Sequence, residues 1–358
     1  MTAASRPISV AVLGGSGYVA GEVLRLLGAH PQVKVESVVS TTQVGETVAH
    51  VFPHLEGTVT GPLVFEEVTA LTARFAAEAP WGILAATPHG ATAALVRQVL
   101  DAANARGTMA RVVDLSADFR FREAAQYQAI YSHPHGAPQL LADFTCGVPE
   151  HIKAKPRLHA TQPGCFTTAV TLAAYPFFAL GLVEASVFVA AVTGSTGSGR
   201  TPAANTHHPE RRSNLFAYAP LGHRHEAEMR RLLSAARVDQ EVDVEFVPHS
   251  GPFARGIHAT LRLHLKEALP PQELVTRVNE FYADSPFVHA TPELPRLHDV
   301  VGTNRCRIGI ATREKTLVVT SVIDNLVKGA AGGAIQWLNR LFDLPHATGL
   351  VTGGLGWL

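Results

Sequence analysis

The stretch Ile8-Ser9-Val10-Ala11-Val12-Leu13-Gly14-Gly15-Ser16-Gly17-Tyr18-Val19-Ala20-Gly21, followed by EVLRLLGAH over residues 22–30, decides the fold. Ile8 to Leu13 is a run of β-branched and apolar residues interrupted only by Ser9, the pattern of a buried strand. The glycines that follow predict a tight turn, and EVLRLLGAH predicts a helix. Strand, glycine turn and helix is the order that a dinucleotide site requires. Gly14, Gly17 and Ala20 take the three special places of a G-x-x-G-x-x-A variant, where small residues permit the turn, close approach to a pyrophosphate and helix packing. Gly14, Ser16, Gly17, Tyr18 and Val19 are the candidate cofactor contacts here. The competing reading of the same residues is an ordinary βα turn.

The next apolar run, Val33 to Val39, ends in Ser40-Thr41-Thr42-Gln43. An NAD site places Asp or Glu on the adenine ribose at this distance, and no carboxylate stands there. The hydroxyls of Ser40 and Thr41 suit a 2′-phosphate instead, which favours NADP, although no arginine stands beside them. Trp81 to Ala86 reads as a further strand ending in Thr87-Pro88-His89-Gly90, ahead of an Ala-rich helix. Arg111 to Leu115 reads as another, leading into Ser116-Ala117-Asp118-Phe119-Arg120. Loops at strand carboxyl ends form the ligand edge of an open α/β sheet, which makes Pro88, His89, Gly90 and Ser116 candidate cofactor contacts. Arg120 is a candidate for a bidentate pair with a substrate carboxylate, or else a surface ion pair.

Composition excludes several classes. The chain has 358 residues, 46% hydrophobic and 17% charged, which fits about two domains with substantial cores. Lys plus Arg and Asp plus Glu both number 30, so no global field recruits nucleic acid or anionic membrane. Three widely spaced cysteines, Cys146, Cys165 and Cys306, support no disulfide framework, which fits a reducing cytoplasm. The first seven residues read as a short tail without signal-peptide character, and no apolar stretch is long enough to span a bilayer.

Cys165 lies in Gln162-Pro163-Gly164-Cys165-Phe166-Thr167-Thr168-Ala169, after a chain break and at the opening of an apolar helix. A helix N-terminus favours thiolate over thiol, so Cys165 is a candidate nucleophile; a small buried hydrophobe is the plain alternative. Beyond it come SVFVAAVTG, then Ser195 to Arg200, a polar loop with His207-His208, and His223-Arg224-His225-Glu226 entering a helix. VDVEFVPHS, GIHATLRLHL and TLVVTSVID predict strands, and PQELVTRVNEFYAD and KGAAGGAIQWLNRLF predict helices. The pattern changes near Gly164. The expected division is residues 1–163 with 329–358 as a Rossmann dinucleotide-binding domain, and 164–328 as an α+β catalytic and dimerisation domain.

The motifs GGSGYVAGEVLRLL, TPHG, DLSADFR, CGVPE, QPGCFTTA, TGSTGSGR, GHRHEAEM and VIDNLVKGAAGGAIQ, in this order over nearly the whole chain, resemble the N-acetyl-γ-glutamyl-phosphate reductase family of the semialdehyde dehydrogenase superfamily. The resemblance implies an α/β protein with a Rossmann domain and an α+β semialdehyde-dehydrogenase-type domain. It implies a cytoplasmic, homo-oligomeric (dimer or tetramer), NADP-dependent enzyme of arginine biosynthesis that reduces an acyl phosphate to an aldehyde with release of phosphate. By the same resemblance Cys165 matches the nucleophile and the HRH segment the catalytic histidine, with His223 ranked before His225. Asn325 is placed near the nicotinamide and Gly329 against the cofactor loop. Gln162, where the family usually has Asn, and Arg120, Arg200 and Arg224 are the substrate-binding candidates. Thr41 stands where the family usually has arginine, which bears on cofactor preference.

The residue chemistry agrees with that reaction. A thiolate attacks the acyl carbon, phosphate leaves, and the thioester accepts hydride before collapsing to aldehyde, with a histidine moving the proton. Rival readings remain. The loop around THHPERRSN and Tyr218 also resembles the lysine-pathway reductase acting on aminoadipyl phosphate bound to a carrier protein, which would add that protein as a partner. Aspartate-semialdehyde dehydrogenase shares the chemistry but fits the C-terminal motif poorly. A metal-dependent hydrolase would use His207-His208 and His223-x-His225, but neither pair has H-E-x-x-H spacing, and no metal is expected. A non-enzymatic NADP-binding protein would need no reactive thiol.

Overall fold

Val10, Ala11, Val12 and Leu13 are wholly buried in β1 (Ile8–Leu13), an interior strand of a seven-stranded parallel sheet. The computed structural model describes residues 7–77, 79–237, 240–351 and 353–356, so the expected N-terminal tail falls, over residues 1–6, outside the described residues. The chain divides into two units, the first reaching Gln162 and taking in Ala331–Val351. Its elements continue as α1 (Tyr18–Leu27), β2 (Val33–Val39), α2 (Val48–Val51), β3 (Phe65–Glu66), α3 (Val68–Ala73), β4 (Trp81–Ala85), α4 (Thr92–Ala105), β5 (Ala110–Asp114), α5 (Ala124–Tyr131), β6 (Phe144–Cys146) and β7 (His159–Thr161). The strand order is β3-β2-β1-β4-β5-β7-β6. The chain winds outward from β1 through β2 to β3, then crosses to β4 and winds the other way. That reversal opens a crevice at the carboxyl ends of β1 and β4, where such sheets bind ligands.

The second unit holds Pro163–Ala330. Its elements are α6 (Cys165–Ala179), β8 (Ser186–Thr193), α7 (His208–Arg211), β9 (Phe216–Ala217), α8 (Arg224–Ser234), β10 (Asp243–Ser250), β11 (Ile257–His264), α9 (Pro271–Phe281), β12 (Val288–Thr291), β13 (Cys306–Arg313) and β14 (Thr316–Ile323). They build a mixed sheet in the order β12-β13-β14-β11-β8-β10-β9. Period-two alternation gives it two unlike faces. Val187, Val189, Val244, Phe246, Ile257 and Leu261 are buried on the side that carries α6, α8 and α9, whereas Phe188, Glu245, Arg262 and His264 are exposed on the other.

Val327–Ala331 forms a π-helical turn that runs into α10 (Gly332–Leu341), and α10 packs on β5, β7 and α1 of the first unit. The single helix expected over KGAAGGAIQWLNRLF is therefore two kinds of helix in succession. After Val351 the described chain belongs with the second unit, where the Leu355 N–H donates to the Val301 carbonyl at 3.3 Å. The sequence reading kept that segment with the first.

Candidate active site

The carboxyl end of β1 is shaped by contacts that exclude a Cβ. Gly14 has φ +78°, and a Cβ there would lie 2.7 Å from the Thr87 nitrogen and 2.8 Å from its Cα. The glycine turn and the Thr87 to Gly90 loop thus meet at the switch point. Gly15 is as constrained, since its Cβ would fall 2.6 Å from Phe65 and Val38, and a Cβ on Gly21 would come within 2.8 Å of the Phe52 ring. Gly17, by contrast, is the N-cap of α1, lacks a capping side chain and has nothing within 4 Å of its would-be Cβ. Open space above uncapped first-turn N–H groups is what a pyrophosphate requires. Ser16 is half-buried beside it, Val19 likewise, and Tyr18 is exposed.

Beyond β2, the Ser40 hydroxyl is buried and lies 3.4 Å from that of Thr42, while Thr41 is exposed at the strand end. Glu66 is the carboxylate of the adjoining strand, its carbonyl accepting the Ser40 N–H. Its side chain is already engaged by Ser37 and Arg74.

Asp118, which sequence reasoning passed over, organises the neighbouring loops. Its buried carboxylate accepts the Gly90 N–H at 2.8 Å, the Ala93 N–H at 2.9 Å and the Tyr127 hydroxyl at 2.9 Å. It caps α4 from 25 residues away, where the local N-cap, Ala91, offers no acceptor. The His89 Nδ1 accepts the Ala117 N–H at 3.0 Å, and the Ser116 hydroxyl accepts the Asp118 N–H at 3.1 Å. Pro88 is exposed on the same loop. Burial, and then the charge of Asp118, raise Asp114 to about 6. Arg120 is buried, donating from Nε to the Gln162 carbonyl at 3.1 Å and from Nη2 to that of Leu115 at 3.3 Å. Gln162 is buried too, and a Cβ on Gly333 of α10 would fall 2.6 Å from its amide.

In the second unit, Cys165 is the first residue of α6, a helix of 15 residues whose N-cap, Gly164, has no capping side chain. The cap comes from α8. Glu228 is buried and accepts the Gly164 N–H at 2.9 Å and the Thr167 hydroxyl at 3.1 Å through one oxygen, Oε2. His225 stands one turn earlier on α8, and a Cβ on Gly164 would lie 2.3 Å from its Nε2. Gly329 closes the other side, where a Cβ would fall 2.7 Å from that of Cys165. The small residue at 329 therefore leaves room for the thiol residue itself.

His223 is the N-cap of α8, its Nδ1 accepting the His225 N–H at 3.1 Å. The two imidazoles have centroids 4.7 Å apart, and Phe166, Tyr218 and Phe246 surround the His223 ring. Burial, aided by the charge of Arg224 and opposed by that of Glu228, depresses His223 to about 4. The Tyr218 phenol is held above its ordinary range, first by burial and then by the negative charge available at Cys165. Arg224 is exposed on the first turn of α8, and Arg200 is exposed after the turn Ser195–Ser198. Asn325 is buried, its Oδ1 accepting the Gly256 N–H at 2.7 Å and its Nδ2 donating to Thr196 at 2.9 Å. His207 and His208 are an N-cap and first residue of α7. Among the described residues no group of His, Cys, Asp and Glu could hold a metal ion, and no helix is long and apolar enough to cross a membrane.

Comparison with known proteins agrees with both halves. Residues 9–155 match the semialdehyde dehydrogenase NAD-binding domain, and residues 165–325 match the semialdehyde dehydrogenase dimerisation domain. The chain is 40% identical over 356 residues to an N-acetyl-γ-glutamyl-phosphate reductase of Pseudomonas putida, spanning 97% of this chain and 99% of the relative. It is 38% identical to the enzyme so named from Symbiobacterium thermophilum, over 97% and 98% of the two chains. Among solved structures, aspartate semialdehyde dehydrogenase II of Vibrio cholerae superposes with a TM-score of 0.68 at 16% identity, covering 95% of this chain and 99% of that one. The aspartate semialdehyde dehydrogenase of Candida albicans, solved with NADP, gives 0.64 at 15% identity, covering 95% and 99%. At such identities these two establish the shared fold.

Proposed function

The chain belongs to the semialdehyde dehydrogenase family, in its N-acetyl-γ-glutamyl-phosphate reductase branch, and from that premise we propose how its own residues carry the reaction. The substrate is N-acetyl-γ-glutamyl phosphate and the products are N-acetylglutamate 5-semialdehyde and phosphate. The observation that carries the reading is Cys165 at the head of α6, with His225 against Gly164 on one side and Gly329 on the other. Helix-terminal N–H groups favour the thiolate. His225 is the base beside that thiol, on the same helix as Glu228, which caps α6 through the Gly164 N–H.

Cys165 Sγ attacks the acyl carbon, its proton goes to His225, and phosphate departs with the electron pair of the broken C–O bond. A nicotinamide dinucleotide, when bound, would supply the hydride that takes the thioester to the thiohemiacetal. His225 then protonates the thiohemiacetal oxygen, and collapse to the aldehyde expels sulfur and restores Cys165. This reading gives His225 the proton and makes His223 the group that positions it. A histidine depressed to about 4 is a neutral acceptor at pH 7, and its Nδ1 is committed to the helix end.

Gly14, Ser16, Gly17, Tyr18, Val19 and the loop from Pro88 to Gly90 would hold the dinucleotide, with Ser116 behind them. Thr41, with Ser40 and Thr42, favours NADP, because the nearby Glu66 carboxylate is taken up by Ser37 and Arg74. Asn325 would act near the nicotinamide by holding the Thr196 turn. Arg224 and Arg200 are the exposed candidates for the substrate's anionic groups, whereas Arg120 and Gln162 support the loops internally. The exposed sheet face around Phe188 and Arg262 suits contact with a second copy, consistent with the dimerisation-domain match. A cytoplasmic homo-oligomer is the corresponding assembly.

The test is phosphate-dependent reduction of NADP by N-acetylglutamate semialdehyde, run beside the carrier-linked aminoadipate semialdehyde. Turnover of the first alone is expected, with complete loss in Cys165→Ala and retained cofactor binding. Preference for the carrier-linked aldehyde would replace this reading with the lysine-pathway one, and activity in Cys165→Ala would end it.

A further inference from the structure

We infer that the first unit carries a second ligand site, for a zwitterionic amino acid with an apolar side chain, at the amino-terminal edge of its parallel sheet. A cavity of about 520 Å³ opens there, lined by Arg111 near the start of β5, by Asp143 and by the end of α10. That volume lies within the range of roughly 300–1,000 Å³ common to small-molecule sites. The nucleotide turn stands at the opposite edge of the same strands, so the cavity lies apart from the cofactor residues.

The charges on its wall point to the ligand. Lys155 is paired with Asp343 at 3.5 Å, and Arg157 donates to the Ala142 carbonyl. Two charged side chains on the wall make no polar contact at all among the described residues. Arg111 and Asp143 are both half-buried, and among the described residues neither side chain has a hydrogen bond or salt bridge, with each other or with any third group. The charge on Arg111 is felt next door, where it joins burial in depressing His159 to about 4. Half-buried charges without partners are unfavourable, and a ligand that supplies both complements would relieve both. A simple anion would meet Asp143 and a simple cation would meet Arg111. An amino acid satisfies the pair, carboxylate to Arg111 and ammonium to Asp143. Leu158, 49% exposed, and Met109, 45% exposed, with Leu341 and Phe342, provide apolar surface for its side chain.

Calorimetric titration of the full-length protein with L-leucine, L-methionine and L-phenylalanine tests this. At least one should bind saturably with Kd below about 1 mM. The N-acetyl and the amide derivatives of that amino acid should each bind at least about tenfold more weakly, since each lacks one charge. Arg111→Gln and Asp143→Asn should show the same loss while semialdehyde turnover is retained. Absence of binding by all three amino acids, equal binding of either derivative to the unmodified protein, or binding that survives both substitutions would overturn the inference.

Discussion

Gly164→Ala isolates the geometry on which the proposed proton transfer depends. Gly164 has φ −58° and ψ 154°, a conformation open to alanine without strain. Backbone effects alone would therefore leave stability unchanged or raise it by about 0.4–1 kcal/mol. The side chain has no such freedom. The new methyl would lie 2.3 Å from Nε2, 2.5 Å from Cε1 and 2.7 Å from Cδ2 of His225, against an ordinary carbon contact of about 3.5–4 Å. The ring must retreat by about 1 Å or more. Because His223 Nδ1 holds the His225 N–H, the retreat falls on the His225 side chain rather than on α8. A displacement of that size lowers turnover on the order of a hundredfold. The assay is the initial rate of NADP reduction by N-acetylglutamate semialdehyde and phosphate, with kcat and KM separated and Tm measured in parallel. A fall in kcat with cofactor affinity and Tm maintained is expected. A kcat within about threefold of wild type, or a loss confined to KM, would refute the assignment of His225.

His225→Asn should lower kcat on the order of a hundredfold or more, whereas His223→Asn, which preserves a cap acceptor, should lower it less; the reverse order in steady-state kinetics would return the proton to His223. Thr41→Asp should weaken NADP binding by about tenfold or more while sparing NAD, by placing a carboxylate against the 2′-phosphate; unchanged NADP affinity in fluorescence titration would remove Thr41 from the site. His159 is depressed from 6.5 to about 4 by burial and the charge of Arg111, so between those values the unfolded chain binds the extra proton and stability falls as pH falls. Keeping the acceptor for the Val112 N–H, His159→Asn should reduce the stability lost in urea melts between pH 7 and 4 by on the order of 3 kcal/mol; an unchanged pH dependence would show that His159 is not buried neutral.

Much of this was legible in the sequence where short-range chemistry decides the outcome. β1 reads as a strand because it is buried on both faces, and α6 reads from Cys165 because Pro163 and Gly164 punctuate the chain. β13 escaped notice: Arg307, Thr312 and Arg313 interrupt its apolar pattern, and its register comes from flanking β12 and β14. β6 and β7 are too short to show any period, at three residues each. Glu228 escaped for another reason. It reaches the N–H of Gly164 across 64 residues, and no local pattern marks a carboxylate as the cap of a distant helix. The one available signal was negative: α6 begins after Gly164 without a capping side chain, so a partner must come from elsewhere. The same reasoning applied to α4 would have demanded an acceptor like Asp118. His223 was visible as chemistry but not as a cap, because imidazole is not among the favoured N-cap side chains.

The glycines separate two kinds of constraint that a motif scan treats alike. Gly14 needs its residue type twice over, for φ +78° and for the Thr87 backbone against it, and the backbone demand is what gives the turn a recognisable spacing. Gly164 and Gly329 have ordinary dihedral requirements and are constrained by side chains brought from elsewhere, the His225 ring and the Cys165 Cβ. Backbone constraints recur at fixed offsets, while excluded-volume constraints depend on which element folds against the position. Only the first class is visible before the fold is known. The second sets the distances at the thiol, so the precision of the proposed chemistry would depend on two positions where the property that matters is the absence of a methyl group.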